Sequence, residues 1–212
     1  MKLSPSDLRL YAITDRRSLP AGVTLAQAVE AALDGGVTCL QLREKTVSAG
    51  EILALARTLL PLCRARRVPL LINDRVDIAL AAGADGVHLG QDDLPLPEAR
   101  ALLGPSRILG ATAHTVEEAL RAQAEGADYL GVGAMFPTGT KTDTVPTSAD
   151  TLKAICAAVS IPVLAIGGVN AQNLPTLAGT GIAGAAVVSA IFSQSDPAAA
   201  RALRTAADLA AR

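Results

Sequence analysis

The stretch TCLQLREK sets Gln41, Arg43 and Lys45 two residues apart. In a strand that spacing sends all three to one side and Leu40 and Leu42 to the other. Inward cations are costly unless they meet an anion, so Arg43 and Lys45, flanked by Glu44, point to a phosphate-bearing ligand. A structural salt bridge to Glu44 or another acid is the competing reading. Ile72-Asn73-Asp74 and Gly90-Gln91-Asp92-Asp93 place carboxylates at two further strand ends. Two carboxylates beside bound phosphate suit Mg²⁺, whose octahedral shell takes one or two acids plus phosphate oxygens and water. Read singly, Asp74 could instead cap the helix DRVDIALAAG, and Asp92 or Asp93 could open a turn. PTGTKTD combines Thr138, Gly139, Thr140 and Lys141: small residues let backbone N–H groups approach an oxyanion, hydroxyls add donors and the lysine adds charge. Lysine stands only at positions 2, 45, 141 and 153, so two of the four fall in these motifs. Gly167 and Gly168, followed later by Val188 and Ser189, suit a monophosphate held by backbone donors between two loops; the glycine pair also fits a plain tight turn. His88 and His114 have no Ser or Cys nucleophile in a recognisable arrangement, so acyl transfer is not expected. His88 reads as an inward core histidine, and Thr112, on the same side as His114, can donate to an anion at the mouth.

These motifs recur at a fixed place in a repeated pattern. An Ala-rich helical stretch, a glycine and a short apolar run follow one another in AALDGGVTCLQLR, ALAAGADGVHLG, AQAEGADYLGVG and LAGTGIAGAAVVS. The pattern reads as helix, glycine cap and a strand buried on both faces. Strands are expected at residues 10–14, 38–43, 69–73, 86–89, 108–112, 129–133, 163–167 and 185–189. Helices are expected to begin near Thr24, Ser48, Asp74, Leu96, Thr115, Ser148, Ala171 and Asp196, several opened by Ser, Thr or Asp. Eight βα units in 212 residues predict a (β/α)8 TIM barrel, a single domain over 1–212, with every motif at its carboxyl rim. A doubly wound open sheet is the second architecture, but no GxGxxG follows the first strand. The long connection from Ala134 to Thr147 follows strand six, where barrel loops carry function.

Composition narrows the partners. Hydrophobic residues make up 50% of the chain while Trp is absent and Phe and Tyr number two each, which predicts an aliphatic core. A net charge of −1 provides no general field for nucleic acid or anionic membrane, so neither is expected as a partner and any anion must be held by local groups. The opening MKLSPSDLRLYAIT has no apolar signal core and no run approaches a membrane span, so a cytoplasmic protein is expected. Cys39, Cys63 and Cys156 are far apart, without CxxC spacing, and read as buried structural thiols. Nothing in the spacing specifies an oligomer.

Taken in order, QLREK, IND, HLGQDD, AHT, PTGTK and IGG resemble the thiamine phosphate synthase family, from about Tyr11 to Ile191. The resemblance implies a transferase of thiamine biosynthesis that joins 4-amino-2-methyl-5-(diphosphomethyl)pyrimidine to 4-methyl-5-(2-phosphoethyl)thiazole and releases diphosphate. It implies that Gln41 addresses the pyrimidine within the segment Gln41, Leu42, Arg43, Glu44 and Lys45. Arg43, Lys45, Asn73 and Lys141 would hold the diphosphate, with Arg43, Lys45 and Lys141 the catalytic cations. Asp74 and Asp93 would hold Mg²⁺. Thr138, Gly139 and Thr140, with Gly168, Val188 and Ser189, would seat the thiazole phosphate. Thr112 stands where this family usually has Ser and keeps the hydroxyl; VPTSADTL lacks a Gly common after the PTxTK loop. In this family the diphosphate departs first and leaves a pyrimidinylmethyl cation for the thiazole nitrogen. That fits a site rich in charge-neutralising groups and without an evident general base.

Three other readings share the barrel. A thiazole tautomerase or regulator would handle only the thiazole phosphate and would not need QLREK, both aspartates and Lys141. A phosphosugar isomerase or epimerase would share IGG and the last strand, leaving Arg43 and Lys45 unexplained. A non-catalytic sensor of a phosphorylated metabolite is the reading from outside enzymology.

Overall fold

Eight four- to six-residue strands, nearly all of whose side chains are buried, leave no edge for water. They are β1 (Leu10–Ile13), β2 (Cys39–Leu42), β3 (Leu70–Asn73), β4 (Gly86–Leu89), β5 (Ile108–Ala113), β6 (Tyr129–Val132), β7 (Val163–Ile166) and β8 (Gly184–Val187). In the computed structural model, which describes residues 3–139 and 146–211, each strand pairs in parallel with the next and β8 returns to β1, closing a (β/α)8 barrel. All carboxyl ends therefore emerge on one rim.

The connecting helices are α1 (Leu25–Asp34), α2 (Ala49–Ala65), α3 (Val76–Ala82), α4 (Leu96–Leu103), α5 (Val116–Ala124), α6 (Ala149–Ala158), α7 (Ser189–Phe192) and α8 (Pro197–Ala210). The expected caps operate: the hydroxyls of Thr24, Ser48, Thr115 and Ser148 accept N–H groups from Gln27, Glu51, Glu118 and Thr151. Each such cap contributes about 1 kcal/mol. No helix among the described residues is long and apolar enough to cross a membrane.

Strand alternation divides the core in two. Leu40, Leu42, Leu70 and Ile72 pack outward against the helices, while Tyr11, Cys39, Leu71 and Tyr129 fill the barrel itself. This corrects the expectation of a purely aliphatic core. Tyr11 and Tyr129 are both fully buried and stand 5.8 Å apart between ring centroids. Phenols can enter an apolar barrel because each hydroxyl finds a partner there.

Three further expectations change. No α-helix begins near Ala171; the segment forms a 3-10 turn at Leu174–Leu177. The Asn170 side chain takes the N–H groups of Gln172 and Asn173, and the Asn173 side chain takes that of Asn170, bonds that compete with a regular helix. Ser189 opens α7 instead of ending β8. Asp74 does not cap α3: the cap position is Arg75, with no side-chain cap bond.

Candidate active site

Backbone pairing decides where the acids point. Asp74 has φ +61, a left-handed conformation that Asp tolerates better than most residues, and its N–H donates to the carbonyl of His88 across the β3–β4 junction at 2.9 Å. The side chain is thereby turned to the rim, where Oδ2 meets Lys45 Nζ at 3.0 Å. Asp93 closes a turn by accepting the N–H of Gly90 at 2.7 Å, so the turn reading and the site reading are both true of it. Burial raises the Asp93 pKa, and hydrogen bonding with Asp74 and the charge of Asp74 raise it further, against lowering by the Gly90 N–H and Lys45. Two carboxyls of different loops have been brought to one spot where their negative charge is uncomfortable.

Lys45, Asn73, Asp74 and Glu44, with Leu42, line one small cavity of about 140 Å³. Glu44 is committed to Arg16, at 2.9 Å, and its buried Oε1 has no hydrogen-bond partner among the described residues. Arg43 forms no ion pair with Glu44. Its N–H is held by the buried Thr14 hydroxyl at 2.9 Å, and no carboxylate among the described residues pairs with its guanidinium. It lines a larger cavity of about 430 Å³ instead.

That larger cavity gathers Thr112, Thr138, Gly139, Gly168, Val188 and Ser189 around Arg43. Gly167 and Gly168 have φ +91 and +63, and a Cβ on Gly168 would stand 2.4 Å from the carbonyl oxygen of Pro137. The glycine pair is thus a tight turn, and one that admits the loop after β6 to the same cavity. The first amides of α7 have no acceptor inside the helix, and Val188 carries no side-chain cap bond. His114 also lines this cavity and fixes its wall through Nδ1, which donates to the Gly133 carbonyl at 2.9 Å. Thr140 and Lys141 lie outside the described residues.

Gln41 is set deeper. Its side chain is 2% exposed and its Nε2 donates to the Tyr11 hydroxyl at 2.7 Å. His88 is inward, as expected, between the Tyr129 hydroxyl and Thr112 Oγ1; burial pushes its pKa down to about 4. Reading the sequence missed Tyr11 and Tyr129. Their inward strand positions, combined with the scarcity of aromatics, were the signal available.

A metal cation fits the carboxyl pair: two acids that repel each other beside a lysine, open to the rim, match the chemistry of a hard divalent ion sharing phosphate oxygens. No cluster of three or more potential metal-ligating side chains occurs among the described residues.

Comparison with known proteins follows the same outline. Residues 10–191 match the sequence profile of the family described as Thiamine monophosphate synthase. The chain is 52% identical over 193 residues to thiamine-phosphate synthase of Ruminiclostridium cellulolyticum, with 91% of each chain covered, and 50% identical over 190 residues to that of Clostridium tetani, with 90% of each covered. Among solved structures, thiamine phosphate pyrophosphorylase from Pyrococcus furiosus superposes with a TM-score of 0.88 at 40% identity, covering 96% of this chain and 97% of that one. The rim described above belongs to an enzyme of thiamine biosynthesis, a transferase acting on small molecules, and the chain is a member of the thiamine monophosphate synthase family.

Proposed function

We propose that this rim joins 4-amino-2-methyl-5-(diphosphomethyl)pyrimidine to 4-methyl-5-(2-phosphoethyl)thiazole by loss of diphosphate ahead of carbon–nitrogen bond formation. One observation carries the reading: Asp74 and Asp93 converge with Lys45 on the rim that also opens the 430 Å³ cavity lined by glycine backbone, threonines and Arg43. This arrangement suits two phosphate groups at neighbouring stations.

The C–O bond of the pyrimidinylmethyl diphosphate breaks with its electron pair going to the leaving oxygen, and the thiazole nitrogen lone pair then forms the new bond. No proton moves, so no general base is needed. Lys45, Asn73, Arg43 and Lys141 spread the charge of the departing diphosphate. Mg²⁺ held by Asp74 and Asp93 would add charge neutralisation there when bound. Thr138, Gly139 and Thr140 with Gly168, Val188 and Ser189 take the thiazole phosphate and set the nitrogen in line, which holds the two reactants together and keeps water from the cation. The reading includes a cytoplasmic location and no nucleic-acid or membrane partner.

The test is turnover: folded protein given both substrates and Mg²⁺ forms thiamine phosphate and diphosphate, and the absence of any product from authentic substrates overturns the reading.

A further inference from the structure

A chain of four hydrogen bonds crosses the inside of the barrel. Gln41 Nε2 donates to Tyr11 Oη at 2.7 Å, Tyr11 Oη meets Tyr129 Oη at 2.8 Å, Tyr129 Oη meets His88 Nδ1 at 2.8 Å, and His88 Nε2 meets Thr112 Oγ1 at 3.1 Å. The five residues come from β2, β1, β6, β4 and β5. The path is kept clear by Gly110, where a Cβ would stand 2.3 Å from the Tyr129 hydroxyl oxygen; Gly131 borders it, with space for a Cβ at 3.4 Å from the His88 ring.

We propose that Tyr11 and Tyr129 are positioning residues whose hydrogen-bonded chain ties the amide face of Gln41 to the direction of the Thr112 hydroxyl, and so selects an amino-bearing over an oxo-bearing pyrimidine.

Proton counting enforces the tie. Each phenol carries one proton and a neutral imidazole carries one, and the His88 nitrogens face two hydroxyls, with no carboxylate among the described residues bonded to either. When Gln41 Nε2 donates to Tyr11, the arrangement that leaves no buried proton in the chain without an acceptor has that phenol donate to Tyr129, and Tyr129 to His88 Nδ1. The ring proton then lies on Nε2 and is donated to Thr112, whose own proton is left for an acceptor in the cavity it lines. In this direction Gln41 keeps its carbonyl oxygen for a ligand N–H. Turning the amide over reverses every link: Tyr11 donates to the Gln41 carbonyl, Nδ1 carries the ring proton, and the Thr112 proton is spent on Nε2. An exocyclic amino group at Gln41 and an oxyanion at Thr112 therefore favour the same direction. An exocyclic oxo group meeting the amide on the edge where that carbonyl oxygen stands needs the opposite direction, which takes the Thr112 donor away from the anion. The chain of bonds stands on the structure alone; the ligand at its Gln41 end rests on the function proposed above together with the pyrimidine role that the family resemblance implies for Gln41.

The experiment compares kcat/KM for the 4-amino pyrimidine diphosphate and its 4-oxo analogue. Tyr129→Phe touches neither Gln41 nor Thr112, yet it should lower the amino-over-oxo preference by roughly five- to tenfold, the worth of one hydrogen bond. Tyr11→Phe should lower it equally, the double variant no further, and Thr112→Ser, which keeps the hydroxyl, should preserve it. An unchanged preference in folded Tyr129→Phe overturns the tie, provided Gln41→Ala abolishes the preference. If Gln41→Ala also leaves it intact, the assignment of Gln41 to the pyrimidine is what fails, and the proposal with it. Native protein gives a second reading that needs no core variant. With the aminopyrimidine diphosphate bound, ¹⁵N shifts of His88, one of two histidines, should report a proton on Nε2 and none on Nδ1. An Nδ1-protonated ring would overturn the proposal.

Discussion

Tyr129 occupies the space that a side chain at Gly110 would take. A Cβ on Gly110 would lie 2.2 Å from Cζ of the Tyr129 ring, closer than any real contact, and Tyr129 is fully buried with Tyr11 beside it. Gly110→Ala should therefore cost at least about 2 to 3 kcal/mol of stability. Urea unfolding checks this, and the penalty should shrink in a Tyr129→Leu background, where the clash is relieved.

Asp93→Asn keeps the turn acceptor for Gly90 but removes a charge from the rim. The expected result is a raised Mg²⁺ requirement or a rate lowered by about a hundredfold, with thiazole phosphate affinity nearly unchanged. A variant with normal turnover and normal metal dependence would show that Asp93 holds no metal.

Lys141→Ala should slow the ionisation step by roughly a hundredfold or more, about 3 kcal/mol in the barrier, and leave the unfolding transition where it was. Single-turnover rates measure the step directly. An unchanged rate would remove Lys141 from the diphosphate site.

Gly168→Ala forces a side chain against the carbonyl oxygens of Pro137 and Phe136 at a residue with φ +63. The loop after β6 must retreat from the larger cavity. Steady-state kinetics should show the KM for thiazole phosphate rising by about tenfold or more, since a misplaced phosphate loses several donors, while the KM for the pyrimidine diphosphate changes little.

Stability should depend on pH through His88. Its pKa falls from 6.5 in the unfolded chain to about 4 in the barrel because burial opposes the charged ring. Between those values the unfolded chain binds the proton and the folded one does not, so stability is full above pH 6.5 and drains away as pH falls toward 4. Urea unfolding should give a value about 2 kcal/mol lower at pH 5 than at pH 8 from this group, and a His88→Gln variant should show a shallower dependence.

The strands were legible because a strand buried on both faces must be an unbroken apolar run, and VPLLIND or GADYLGVG leave little other reading. The alternation in TCLQLREK likewise placed Leu40 and Leu42 against the helices as the structure has them. What escaped was set by distant partners. Asp74 turns to the rim because its backbone pairs with His88, on the next strand, and no local pattern announces a left-handed Asp. Tyr11 and Tyr129 meet across 118 positions of sequence, so neither motif mentions the other. At Ala171 the reading failed for a local reason, side-chain turns of Asn170 and Asn173 in place of helical bonds.

Parallel closure has a practical side. With every strand running toward the candidate site, the turns that lead from helix back to strand sit at the far end of the barrel. At Gly83 and Gly104 those turns carry φ +68 and +70 and face open space. A tether, an affinity handle or an attachment to a solid support placed beside either glycine, with the glycine itself retained, would hold the enzyme by the end opposite the candidate site.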